Sequence, residues 1–162
     1  MVMQSFGDGN KVYANESIGY GIKNQIGTQP SDAKSPKATR EADTNTNSAS
    51  VFGLNNTVVG NNILTVGKDN KITDTSTTNA TVIGFNSTAN ATNAIVIGTE
   101  SQASANETIA IGQKAKASGQ NSNAFGSQAN ALGTSSLAVG TGAQAKQDSA
   151  VAIGNDSNAT AK

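Results

Sequence analysis

The chain has 162 residues, of which 35% are hydrophobic, 4% aromatic and 14% charged, and its eleven basic side chains balance eleven acidic ones. So few apolar residues would suit a disordered chain, but a balanced charge does not hold a chain open, and it offers no basic footprint for nucleic acid. The sequence contains neither Cys nor His, which excludes a disulfide scaffold, thiolate or imidazole metal sites and a Ser-His-Asp triad.

The start, MVMQSFGDGN, lacks the basic-then-apolar pattern of a signal peptide, and no apolar run approaches a membrane span. From Gly7 onward the chain restates one phrase, best seen in ETIAIGQKAKASGQ from Glu107 to Gln120. With the phrase's glycine as anchor, Gly84, Gly98, Gly112, Gly126, Gly140 and Gly154 follow one another at steps of 14, as do Gly53 and Gly67. Gly67 to Gly84 is 17, which places about three extra residues within DTSTTN. Gly7 to Gly19 is 12 and Gly19 to Gly53 is 34, so the early part carries an insertion.

Each repeat reads as two short strands. The residue before the anchor is always large and apolar: Phe6, Ile18, Phe52, Val66, Ile83, Ile97, Ile111, Phe125, Val139 and Ile153. Two before the anchor the residue is small or β-branched, as in Val82, Val96, Ala110, Ala124, Ala138 and Ala152. Such alternation predicts a strand with period two. By size, the row from Phe52 to Ile153 is the expected core. The row from Val82 to Ala152 then forms a second apolar stripe, expected to pack against other copies of the chain. Three and five residues after the anchor come pairs such as Ala115 and Ala117, flanking a polar Lys116; this is a second strand with its polar row in water. Gly60, Gly119 and Gly133 mark the next corner. No repeat can bury its apolar side alone, so like residues stack over like in a solenoid of about ten coils, spanning roughly 45–50 Å. A coil this thin is expected to need an oligomer for stability.

Two places break the pattern. Thr28 to Ala49 has no anchor and holds both prolines, Pro30 and Pro36; SPKATREAD within it predicts a short helix capped by Ser35. Pro30, Lys34, Pro36, Lys37 and Arg40 are candidate ligand-binding residues if the insertion is a functional loop; an inert insertion is the open alternative. Tyr20, Leu54 and Phe85 put large side chains into an otherwise polar corner, as a docking patch or as part of a subunit contact. Fragments such as GDGNKV never complete a dinucleotide fingerprint, and the acidic residues do not stack into a calcium ladder or a carboxylate pair. No cofactor, metal or catalytic residue is expected.

NAIVIGTESQASA, ETIAIGQKAKASG, SSLAVGTGAQAKQ and SAVAIGNDSNATA resemble the repeats of the YadA-like head of trimeric autotransporter adhesins. The resemblance is specific from Ala80 to Lys162, weaker from Gly7 to Gly67, and fails across Thr28 to Ala49. It implies that residues 1–162 are one head fragment, all-β, folded as a left-handed parallel β-roll and assembled as a homotrimer. It also implies a non-enzymatic adhesin on a Gram-negative outer membrane, tethered through a C-terminal anchor that the sequence does not contain. Implied partners are host matrix proteins such as collagen, fibronectin or laminin, or host receptors of the CEACAM kind. Self-aggregation in biofilms is the alternative. An ice-binding solenoid is a weaker one, because Thr57, Thr88, Thr99, Thr108 and Thr141 do not form one stacked row. An acyltransferase solenoid would need a hexapeptide period.

Overall fold

The computed structural model describes residues 3–28 and 43–160. Two ten-stranded sheets, parallel throughout, run the length of the molecule. Each coil contributes a longer strand to the first sheet and a two-residue strand to the second, as in Thr81–Phe85 and Thr88–Ala89. Register follows the repeat without slippage: Val82 pairs with Val96, Ile83 with Ile97 and Gly84 with Gly98. The three extra residues fall where DTSTTN predicts, in a turn around Thr75 and Ser76. A third, two-stranded sheet pairs Ala14–Asn15 with Asp43–Asn47. The end of the segment read as a loop from Thr28 to Ala49 is therefore strand, returning the chain to the coil it left. The expected helix, with Pro30, Lys34, Pro36, Lys37 and Arg40, lies outside the described residues.

The second coil is anchored on Gly21 and not on Gly19. Gly21 pairs with Gly53, Tyr20 with Phe52 and Phe6 with Tyr20. The step from Gly7 is then 14 like the others. IGYGI offers two glycines, and packing chooses between them. Gly19 points inward, where an added Cβ would lie 3.1 Å from Val12 and 3.3 Å from Ile26. Tyr20 therefore belongs to the large apolar row before the anchor, and Ile18 sits two residues further back.

The core is the inverse of the size-based expectation. Val82, Val96, Ala110, Ala124, Ala138 and Ala152 point into the coil and are at most 3% exposed. Phe52, Val66, Ile83, Ile97, Ile111, Phe125, Val139 and Ile153 point outward and are half-buried or exposed, with Ile153 67% exposed. The reason is the thinness of the coil. Opposite the row two before the anchor stands the row five after it: Val51 faces the Val58 side, Val82 the Ala89 side, and Ala110 the Ala117 side. Both are buried and share one narrow space: Ile26 enters opposite Gly19 and Ile72 opposite Thr65, so bulk on one row is matched by a smaller residue on the other, and a continuous row of Ile and Phe does not fit. Interior bulk shrinks along the chain, from Ile26, Ile63 and Ile72 in the early coils to alanine, with the buried Ser122 and Ser136, from Ala110 onward.

The anchor needs glycine because successive coils approach closely there. Gly53 has φ +132°, and a Cβ on it would run into the carbonyl oxygen of Gly67. Two other left-handed positions recur from coil to coil, and in most coils they are not glycine. Asn55, Asp69, Asn86, Glu100 and Lys114, two residues after the anchor, have φ between 53° and 57°. Asn62, Asn79, Asn93, Glu107 and Asn121 turn the opposite corner with φ between 54° and 60°. Asn and Asp tolerate this region better than other side chains with a Cβ, and they predominate in the early coils.

Inside the first corner runs a row of amides. Asn24 Nδ2 donates to Asn10 Oδ1 at 3.0 Å, Asn56 Nδ2 to Asn24 Oδ1 at 2.9 Å and Asn70 Nδ2 to Asn56 Oδ1 at 3.1 Å. Each amide also donates to the anchor carbonyl of the next coil, as Asn56 does to Gly67 O at 2.8 Å. Each Oδ1 accepts the next coil's backbone N–H, as Asn56 Oδ1 does from Asn70 at 3.1 Å. Ser87 continues the row by donating to Gly98 O at 2.9 Å. From Ala115 to Ala143 the row is alanine, and the same groups find a local solution: the N–H of Ala115 donates to Gly112 O at 3.3 Å, and Ala129, Ala143 and the final Ser157 repeat the bond. Buried backbone polar groups are satisfied either way, but by different partners.

Two outcomes follow from this interior. Asn56→Ala removes the donor to Gly67 and the acceptor of the Asn70 N–H, and is expected to cost about 1–3 kcal/mol in chemical denaturation. Ala124→Leu overfills the space between the sheets, and is expected to cost about 1–3 kcal/mol or more in the same measurement.

Candidate functional site

Because the coil buries the small row, its large apolar side chains are on the outside of the first sheet. The strand alternation aims the residues three before, one before and one after the anchor to that face. The row three before includes Leu64, Ile95 and Val151, at 36%, 37% and 56% exposure. Beside it runs the row from Phe6 to Ile153. At its N-terminal end Phe6, Tyr20 and Phe52 stack across three coils, with ring centroids 5.8 Å and 6.4 Å apart. The row after the anchor holds Ile22, Leu54, Lys68, Phe85 and Thr99. Lys68 Nζ lies 5.6 Å from the Phe85 ring centroid and 3.7 Å from Asp69 Oδ2.

Ten large apolar side chains on this face are 36% or more exposed. At about 150–250 Å² for a large side chain, they leave on the order of 800 Å² of apolar surface open, beyond the largest patch of an ordinary monomer. The outer face of the second sheet is the opposite. Its row is Lys11, Gln25, Thr57, Lys71, Thr88, Gln102, Lys116, Asn130, Gln144 and Asn158, polar in every coil. The roll therefore has one apolar broad side and one water-facing broad side.

Of the sequence candidates, the structure brings Tyr20, Leu54 and Phe85 to one face, with Tyr20 in the middle row and the other two in the row beside it. Tyr20 is thus not a corner residue. The row from Val82 to Ala152, expected to face neighbouring copies, is instead enclosed within the coil. The amide row and the two left-handed rows escape a reading that looks for glycine at corners. The recurrence of Asn at one fixed offset from Gly7, Gly21, Gly53 and Gly67 is the signal that finds the former.

Chemistry is sparse on the remaining surface. Among the described residues no three His, Cys, Asp or Glu gather as a metal site. Lys114 and Glu100 pair at 3.5 Å in the open, an interaction of small weight. In the turn of the long coil, Asp74 Oδ1 accepts the backbone N–H of Ser76 at 2.9 Å and its hydroxyl at 2.7 Å. These bonds hold its carboxyl below the usual range for an aspartate, the backbone bond being the larger cause. A shallow groove between Asn62, Leu64, Asn79 and Thr81 follows the edge of the apolar face.

Comparison with protein families finds one match. The YadA head domain repeat, described in two copies, matches residues 78–101, 103–129, 117–143, 131–157 and 145–162. Together these stretches take in just over half of the chain. Comparison with curated proteins finds no match.

Proposed function

Since the chain belongs to the YadA head domain family, whose members are heads of trimeric autotransporter adhesins, we propose that it is the binding head of a bacterial surface adhesin. The observation that carries the reading is the apolar outer face of the first sheet. A surface of this size gains stability only when covered, and three copies wound about one axis, each turning this face inward, cover it. The second sheet's polar face and the corners then form the outside of a stiff rod.

The left-handed sense of the roll and a tether to a Gram-negative outer membrane complete the proposal. So does a ligand among host matrix proteins such as collagen, fibronectin and laminin, or receptors of the CEACAM kind. Support for adhesion over chemistry comes from a repeated scaffold whose outward side chains are Lys, Gln, Asn and Thr. Three identical faces turn weak contacts into avidity, raising apparent affinity by about 10²–10⁴ without new contacts.

The test is sedimentation of the purified chain, followed by binding to immobilised matrix proteins and receptors. The chain is expected to sediment as a trimer. Ile97→Asp with Ile111→Asp changes only outward side chains, so the variant is expected to keep its β-sheet circular dichroism while becoming a monomer. Its apparent affinity for any bound ligand is expected to fall by about 100-fold or more. A wild-type chain that stays folded as a monomer overturns the reading.

A further inference from the structure

The first sheet is not equally wide along the roll. From the second coil to the sixth its strands run through the anchor glycine and one residue beyond, as in Ser50–Leu54, Leu64–Lys68, Thr81–Phe85 and Ile95–Thr99. From the seventh coil they stop before it, as in Ile109–Ile111 and Asn123–Phe125. The change accompanies the row three after the anchor. Asn24, Asn56, Asn70 and Ser87 bond the anchor carbonyl of the next coil through their side chains, and the strands of their coils stay extended. Where it is Ala, the carbonyl takes the N–H of that alanine and the chain turns at once.

The consequence is on the surface. In the first half the residue after the anchor stands on the flat of the sheet: Ile22 at 46% exposure, Leu54, Lys68 and Phe85 at 42%, the row ending at Thr99. In the second half its counterparts are Gln113, Ser127, Thr141 and Asn155, in turns. The same boundary divides the core, one cluster reaching to Ala103 and the other starting at Ala110.

We propose that this third row is a contact between copies of the chain, made only in the N-terminal half. The inference rests on the trimeric reading above. A second copy is the occupant because the row is continuous with the two rows that such a copy covers, on one face of one sheet. The stacked rings of Phe6, Tyr20 and Phe52 flank it without a step. Its one charge does not interrupt it: the Lys68 ammonium lies over the Phe85 ring and beside Asp69, which leaves the methylene stem along the apolar row. The amides and hydroxyls of the C-terminal half offer a neighbouring copy no such gain.

The row is tested by comparing two pairs of substitutions in the intact chain by equilibrium sedimentation, with circular dichroism to verify folding. Leu54→Asp with Phe85→Asp places carboxylates in the proposed contact; Gln113→Asp with Ser127→Asp places them at the same offset in the other half. The first pair is expected to raise the concentration for half-dissociation of the trimer by about 100-fold, and the second by less than about threefold. If the first pair unfolds, Leu54→Ser with Phe85→Ser gives the same comparison more gently. Equal effects of the two pairs, or no effect of the first, overturn the proposal. An unchanged trimer that loses adhesion assigns the row to a foreign protein and overturns it as well. A wild-type chain that is monomeric at all concentrations overturns the trimeric reading itself, which is a separate result.

Discussion

The spacing between the two sheets governs the rest of this molecule. A coil of 14 residues closes on itself with four inward side chains, and the sheets lie so close that alanine against alanine fills the later coils. The interior takes a large apolar side chain at single positions, as at Ile26, Ile63 and Ile72, but not as a continuous row. The rows of large apolar residues lie on the outer face of the first sheet, and the roll thereby acquires a surface that no single copy can bury. The small core and the need for company are one fact seen from two sides. A solenoid whose repeats bury little by themselves has few ways to gain stability, and covering a continuous outer stripe is the most effective of them.

Within that constraint the chain uses two ways of closing its first corner. Early coils use amides that bond across coils, so that Asn24, Asn56 and Asn70 each join one coil to its neighbours through side chain and backbone together. A buried amide row is stabilising only when every member is bonded, and here each Oδ1 and Nδ2 in the middle of the row has its partners. Later coils replace it by a backbone turn and an alanine. The interior then shrinks, the strand shortens, and the outer face loses the apolar row after the anchor. A choice made inside the coil is therefore read out on the surface, where association with other copies takes place. Polar outward rows on the second sheet are unaffected by the change, and they keep one chemistry from Lys11 to Asn158.

Much of this was legible in the sequence. The period of 14, the two strands of each coil, the three extra residues near Asp74 and the polar row through Lys116 are read from spacing and alternation alone. Alternation does not say which face is inside. Size suggests the wrong answer, because the usual rule that large apolar residues fill the core assumes a core wide enough to hold them. Ile111 and Ala110 are neighbours on one strand, and the thin coil reverses their expected places. The anchor of the second coil is ambiguous in the sequence for a local reason: IGYGI has two glycines, one required by close backbone approach and one by the bulk of Val12 and Ile26. Anchoring on Gly21 moves Tyr20 from a corner into the aromatic stack. The corners themselves were only partly legible, since Asn, Asp, Glu and Lys take left-handed positions where a reader looks for glycine.

The central claim is that the row before the anchor faces other copies while the row two before it is enclosed. The absence of Cys in the sequence allows a direct measurement. Single variants Ile111→Cys, Ala110→Cys and Lys116→Cys, treated with a short bifunctional maleimide, differ only in where the thiol points. The account predicts cross-linking between copies for Ile111→Cys, a protected thiol for Ala110→Cys, and labelling without cross-linking for Lys116→Cys. Cross-linking through position 110 or 116, with position 111 unlinked, would contradict it.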